Sequence, residues 1–173
     1  MRDVRSYRYV GPVELRDAVR PGAGGWLVRS GGDFDAWAER QADAELIEPF
    51  TFVVGLDGLL RLAPRLSEHV ACAEGEPVLS AGEIGFVREV RHWAVSEVSN
   101  QSTGYCPDGA SWSAVAQALD RAGLAHPAGF THEVVFRRCP DCQEHNIVRE
   151  GDFVCVFCGA DLPAHWNVDP GSP

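Results

Sequence analysis

Short alternating runs of apolar and polar residues fill most of this chain, and they predict strands. Tyr7-Arg8-Tyr9-Val10 alternates and predicts a first strand. Gly11-Pro12 then opens a short helix with Val13, Leu15 and Val19 as a partial apolar stripe, stopped by Pro21-Gly22. After a Gly-rich loop, Trp26-Leu27-Val28 predicts a second strand, and Asp33 caps a helix through Trp37 to about Ala42 with Phe34 and Trp37 on one face. Phe50-Thr51-Phe52-Val53-Val54 and Leu59-Leu60-Arg61-Leu62 flank Asp57-Gly58, a strong hairpin signal. Two more strands are expected over Pro77–Val87 and Arg91–Val98, with a turn near Arg88-Glu89. Helical spacing is clearest from Ser111, as cap, to Ala122, where Val115, Ala118, Leu119 and Ala122 share a face and Gly123 ends the run. Phe130–Phe136 predicts a last strand. The sum is an α+β class: a mostly antiparallel β domain with a few short helices.

Beyond residue 136 the pattern is set by cysteine. Cys139-Pro140-Asp141-Cys142 and Cys155-Val156-Phe157-Cys158 are two Cys-x-x-Cys pairs around twelve intervening residues. Each pair can present two thiolates from one tight turn, and four sulfurs suit a tetrahedral zinc ion. Two disulfides or a redox Cys-x-x-Cys are the competing readings. Asn146–Arg149 and Asp152–Cys155 predict two short strands around Glu150-Gly151, while Pro140 and Gly159 suit the turns beside the sulfurs. The span from about Arg137 to Pro163 resembles the zinc-ribbon family throughout. That resemblance implies structural Zn2+ held by Cys139, Cys142, Cys155 and Cys158, a closed shell with no position for water. So short a segment cannot bury enough apolar surface to fold alone, and bound zinc can contribute about 10 kcal/mol to it. His145 and His165 lie near this site and are expected to be solvated. The expected division is an α+β domain over 1–136, a ribbon over 137–163 and a disordered tail over 164–173.

Of 173 residues, 25 are acidic and 15 basic, for a net charge of −10. Such a charge repels phosphate backbones and argues against nucleic acid as a partner. All the basic residues are arginine. The lack of lysine excludes Schiff-base chemistry and a phosphate-loop lysine, and no G-x-G-x-x-G, G-x-S-x-G or H-E-x-x-H is present. Arginine usage with Ala and Gly richness points to a GC-rich bacterial genome. No apolar run is long enough for a membrane span and Met1–Arg5 lacks a signal-peptide core, so a cytoplasmic, membrane-free protein is expected, with Cys72 and Cys106 as free thiols.

In the middle of the chain, His69-Val70-Ala71-Cys72, Pro77–Ile84 and Val98-Ser99-Asn100-Gln101-Ser102-Thr103-Gly104-Tyr105-Cys106-Pro107 resemble a domain of bacterial polymorphic toxins and of plant IQ-motif calmodulin-binding proteins. His69, Ala81, Gly82, Ser102, Tyr105 and Pro107 fall on matching positions, and the likeness covers about Phe50 to Gly123. The Ser-Gly-His-Tyr motif of that domain has its histidine replaced here by Gly104, and no IQ segment is visible. The polar run Ser99–Tyr105 can either satisfy backbone groups at a strand end or line a pocket. In the pocket version Arg8, His69, Ser102 and Tyr105 would hold a small polar or nucleotide ligand, with an ADP-ribosyltransferase-like enzyme as the implied activity; no catalytic glutamate can be placed. Cys106 reads either as a thiol nucleophile or as an inert small hydrophobe. Against this stands a non-catalytic, zinc-binding protein-interaction or regulatory module whose ribbon offers a docking edge to another protein.

Overall fold

A computed structural model describes residues 4–169. Its centre is a five-stranded, fully antiparallel sheet in the order β1-β3-β2-β4-β5, built from β1 (Trp26–Val28), β2 (Phe50–Gly55), β3 (Leu60–Ala63), β4 (Val78–Arg88) and β5 (Trp93–Val98). The fold class is α+β, as the alternating runs imply. Asp57-Gly58 does turn β2 into β3: Gly58 sits at φ +78°, and the Asp57 carboxylate accepts the Leu59 N–H at 3.0 Å. The β4–β5 turn lies later than expected, over Glu89–His92, closed by Glu89 N–H to His92 O at 2.8 Å.

Two helices cover the sheet's main face. α2 (Gly31–Glu39) delivers Phe34 and Trp37, and α5 (Trp112–Arg121) delivers Val115, Ala118 and Leu119, into one core with Phe50, Phe52, Ile84 and Phe86. Phe34, Trp37, Phe50 and Phe86 meet edge-on or tilted, with ring centroids 4.6–6.3 Å apart. The caps differ from expectation. Ser30, not Asp33, caps α2 by accepting the Asp33 N–H at 3.2 Å, because the Asp33 carboxylate is taken by Arg29 N–H and Nε. Ser111 is helical itself, since a 3-10 turn over Gly109–Ser111 runs into α5, and its hydroxyl instead meets Ser80 Oγ at 2.9 Å in the interior. Gly123, at φ +69°, ends that helix as expected.

α1 (Val13–Asp17) is shorter than expected and buries nothing, while α3 (Asp43–Leu46) and α4 (His69–Cys72) are single turns too brief for periodicity to reveal. The expected strand at Tyr7–Val10 is one bridge only. Tyr7 and Val78 exchange both backbone bonds, then Val10 N–H is diverted to Gly104 O.

β6 (Val135–Arg138) and β7 (His145–Val148) form a separate two-stranded sheet that carries the cysteine segment. The expected final strand thus shortens at its start, because Thr131 and His132 are drawn to Val98 O on β5, and extends past Phe136 to Arg138. Glu150 and Gly151 both take positive φ, +54° and +72°, as a two-residue hairpin turn requires. The second arm makes only the bridges Arg149↔Asp152 and Val154↔Asp161, so the strand expected over Asp152–Cys155 does not form.

The segment after Pro163 corrects the expectation of a disordered tail up to Asp169. Trp166 packs edge-on against Tyr7 at 5.2 Å and donates its indole N–H to Cys106 O at 2.7 Å. Val168 is buried against Phe136, and Asp169 accepts both Nε and an Nη of Arg8 at 2.7 and 2.8 Å. Aromatic and amide side chains at 166 and 167 have partners waiting, which a reading of the terminal Pro-Gly-Ser-Pro composition overlooks. Residues 170–173 of that expectation lie outside the described residues. No helix among the described residues is long and apolar enough to cross a membrane.

Candidate metal centre

Cys139 follows β6 directly, and Cys155 stands at the end of the second hairpin arm; each begins a knuckle of the same construction. In the first, Cys139 N–H bonds Glu144 O and Gln143 N–H returns to Cys139 O, both at 2.9 Å. In the second, Cys155 N–H bonds Ala160 O at 2.8 Å and Gly159 N–H returns to Cys155 O at 2.9 Å. The residue after each second cysteine, Gln143 or Gly159, takes positive φ, +68° and +80°. Two like turns thus aim four sulfurs at one point.

The sulfurs all lie within 4.8 Å of one another. Cys139 and Cys158 are 3.5 Å apart, Cys142 and Cys155 3.6 Å. A tetrahedral ion with metal–sulfur bonds of about 2.3 Å needs sulfurs about 3.8 Å apart, so the set fits such an ion without rebuilding. The shortest approaches also cross between knuckles, and none is a disulfide: all six cysteines are free.

Amide and side-chain donors complete the electrostatics. Cys139 Sγ accepts Cys142 N–H at 3.5 Å, and Cys155 Sγ accepts Phe157 N–H and Asn146 Nδ2–H, each at 3.4 Å. Burial pushes the Cys155 thiol up, but these donors, with one from the Cys158 amide, outweigh it and bring the group down to about 6. Cys142 goes the other way. A bond with the Glu144 backbone lowers it, yet burial and the neighbouring sulfurs outweigh that and drive it up to about 12. The four cannot all ionise together unless a cation supplies compensating charge. His145 and His165 are exposed and lie outside the sulfur cluster.

Three supporting residues escaped the sequence reading. Asn146 is 2% exposed; besides its bond to Cys155 Sγ it accepts Val156 N–H at 2.9 Å, so one amide orients the second knuckle. Arg137, 7% exposed, donates to Phe136 O, Pro163 O and Ala164 O at 2.7–2.9 Å and lies over the Phe153 ring. Asn167 caps the backbone of Arg138 in strand fashion, accepting its N–H at 2.9 Å and donating to its carbonyl at 2.7 Å. An Asn four residues after the second cysteine of a ribbon, on the expected strand beside the metal, was the available signal for Asn146; no local signal marks the other two.

The ligand-pocket residues are placed otherwise. His69 is half-buried on α4, and its Nε2–H donates to Gly82 O at 2.8 Å; burial depresses its pKa against the opposing effect of that bond. Ser102 and Tyr105 are interior, each 1% exposed. Ser102 Oγ accepts Tyr105 N–H at 3.3 Å, and Tyr105 donates its hydroxyl to Glu76 O at 2.8 Å. Arg8 is exposed and tied to Asp169, and the concavity beside it is lined by Tyr9, Arg16 and Asp169 rather than by the other three. Asn100, 0% exposed, accepts Val134 N–H and donates to Pro107 O and Val134 O at 2.6–2.9 Å. Of the two readings of the polar run, these contacts are those of the first, in which polar side chains satisfy backbone. Burial raises Cys106 to about 12, against nucleophilic use.

A scan against protein-family models, a search of curated proteins and a search of solved structures each found no match to this chain. The likeness of the middle region to the toxin-associated domain therefore has no support from them.

Proposed function

We propose that this chain is a zinc-dependent protein-docking module, in which structural Zn2+ on Cys139, Cys142, Cys155 and Cys158 rigidifies a ribbon that presents the second knuckle to another protein. The observation that carries the reading is the sulfur cluster, four thiols within 4.8 Å on two matching turns. Four protein sulfurs fill a tetrahedral shell, so the ion's role is to hold the fold rather than to activate water. Between the last two ligands stand Val156 and Phe157, 77% and 63% exposed, with Val154 beside them at 39%. An apolar tip fixed at both ends by metal ligands is costly to leave in water, and aromatic residues of this kind anchor interfaces.

The test has two arms. Elemental analysis of the purified chain is expected to give one zinc per molecule; no bound metal would overturn the reading. A photo-crosslinker replacing Phe157 in cells is then expected to trap a discrete partner. Excess wild-type chain should compete for that adduct, and the Val156→Ser/Phe157→Ser chain should not. Adducts that both chains displace equally would refute docking through this tip.

A further inference from the structure

A second interaction surface lies at the far end of the sheet, independent of the ribbon. β2 accompanies β4 only as far as the pair Phe50↔Ile84, and the chain before Phe50 turns away into α3. β4 runs on to Arg88 with β5 on its other side. Ser99 N–H bonds Glu83 O, and Glu89 N–H bonds His92 O, so odd-numbered residues of β4 turn their main-chain groups toward β5. By the alternation of an antiparallel strand, Phe86 and Arg88 turn theirs the opposite way, into the track that β2 has left. Among the described residues no backbone hydrogen bond reaches Phe86 or Arg88 from that side. An open cleft of about 910 Å³ lies there, between α2–α3 and the β4–β5 tip.

We infer that this unpaired edge takes up an extended segment of a partner polypeptide, added antiparallel to β4 as a short continuation of β2. The walls define its chemistry. Phe86 packs on Phe34 and Trp37, so even-numbered side chains face the helices, where Asp35 and Glu39 of α2 and Asp43 of α3 are exposed on the cleft wall and, among the described residues, form no ion pair with the opposite side. On that face the residue opposite Phe86 is therefore basic, while the one opposite Arg88, which stacks over Trp93 on the same face, is acidic. The other face adjoins Val87, 43% exposed, and the tip carries Val90, fully exposed, so the intervening residues are apolar. Arg91 and His92 at the tip meet the segment's N-terminal end, which is acidic. A second copy of this chain fits poorly, since edge pairing would bring the two arginine-bearing tips together.

The probe is acetyl-Asp-Val-Asp-Val-Lys-Val-amide, its lysine opposite Phe86 and its second aspartate opposite Arg88, titrated into the full-length, zinc-loaded, isotope-labelled chain. Saturable binding is expected, with amide shifts and exchange protection centred on Phe86 and Arg88. Arg88→Pro removes one outward N–H at a strand end and is expected to weaken binding at least tenfold. Glu39→Lys/Asp43→Lys, on exposed helix positions that leave the edge intact, is expected to weaken it several-fold and serves if the proline variant fails to fold. N-methylation of the peptide at the residues facing β4 should abolish binding. The inference is overturned by absence of binding at millimolar peptide, by shifts that map elsewhere, by unchanged affinity of the N-methylated peptide, or by a dimer of this chain occupying the same edge.

Discussion

Gly82→Ala tests whether the middle of the chain is built for packing rather than for a ligand. Gly82 is on β4 where β5 passes into the polar run, and a Cβ added there would overlap Ser99 O and stand 2.7 Å from Ser99 C and 3.1 Å from Asn100 Cα. All three are backbone atoms, so no side chain can swing aside. Relief requires the strands to separate where Ser99 N–H bonds Glu83 O at 2.9 Å and Glu83 N–H bonds Ser99 Oγ at 3.2 Å. The same movement disturbs the bond from His69 Nε2–H to Gly82 O. Overpacking alone costs about 1–3 kcal/mol, and two or three weakened hydrogen bonds add about 1 kcal/mol each, for a loss of roughly 3–6 kcal/mol in all. At about 2–4 °C per kcal/mol in a domain of this size, the melting temperature should fall by about 10 °C. Urea unfolding followed by tryptophan fluorescence measures the loss. A variant within about 1 kcal/mol of wild type would show that the strands are not locked as described, and the packing account of His69, Gly82 and Ser99 would fail with it.

Removing the metal with a strong chelator, or substituting Cys155→Ser, is expected to unfold the β6–β7 ribbon while β1–β5 stay folded; amide exchange should rise from Cys139 to Ala160, and protection retained there would contradict a metal-held ribbon. Glu150→Asn should stabilise the chain by about 0.5–1 kcal/mol in denaturant titration, because φ +54° beside Gly151 suits Asn-Gly better than a longer side chain. His126 is a pH probe. Burial lowers its pKa, but its hydrogen bonds to Pro127 O and to Asp120 at 2.8 Å outweigh that and raise it. Its contribution is therefore fully present below the ordinary histidine value near 6.5 and is lost as pH rises through the elevated folded value. Asp120→Asn should flatten that part of the stability–pH curve, and an unchanged curve would refute the pairing.

The parts legible in the sequence are those whose signal is local. Asp57-Gly58, Glu150-Gly151 and Gly123 each fix a turn or a stop by their own backbone preference, and two Cys-x-x-Cys pairs carry their geometry within four residues. What escaped depends on distant partners. Tyr7–Val10 alternates like a strand, yet Gly104 O captures Val10 N–H before a ladder can extend. Ser111 has the composition of a cap, but Ser80, thirty-one residues away, offers its hydroxyl a buried partner. Polarity in Ser99–Tyr105 leaves backbone satisfaction and a pocket both open, because a buried amide and an exposed one look alike in sequence; only the positions of Pro107 O and Val134 decide that Asn100 is inside.

The same distinction explains why the ribbon is not a free appendage. Arg137 holds Pro163 O and Ala164 O, Asn167 holds the backbone of Arg138 just before Cys139, and the segment they secure continues through Trp166 and Asp169 onto Cys106, Tyr7 and Arg8. Arg5 stacks on Trp166 at 4.8 Å and closes the circuit at the N-terminal side. Three of these contacts, Trp166 to Cys106 O and the two Asn167 bonds, are hydrogen bonds between partly buried groups, each about 1 kcal/mol when intact and more costly when one partner is left unsatisfied. Metal binding at the four sulfurs would order Arg138 and Cys139, and with them the groups Asn167 needs, and through Trp166 it would favour the folded arrangement of residues 5–8 and 102–106. Ribbon and sheet share one strap, so an ion held by the four sulfurs at one end would contribute to the rigidity of a core that it never touches.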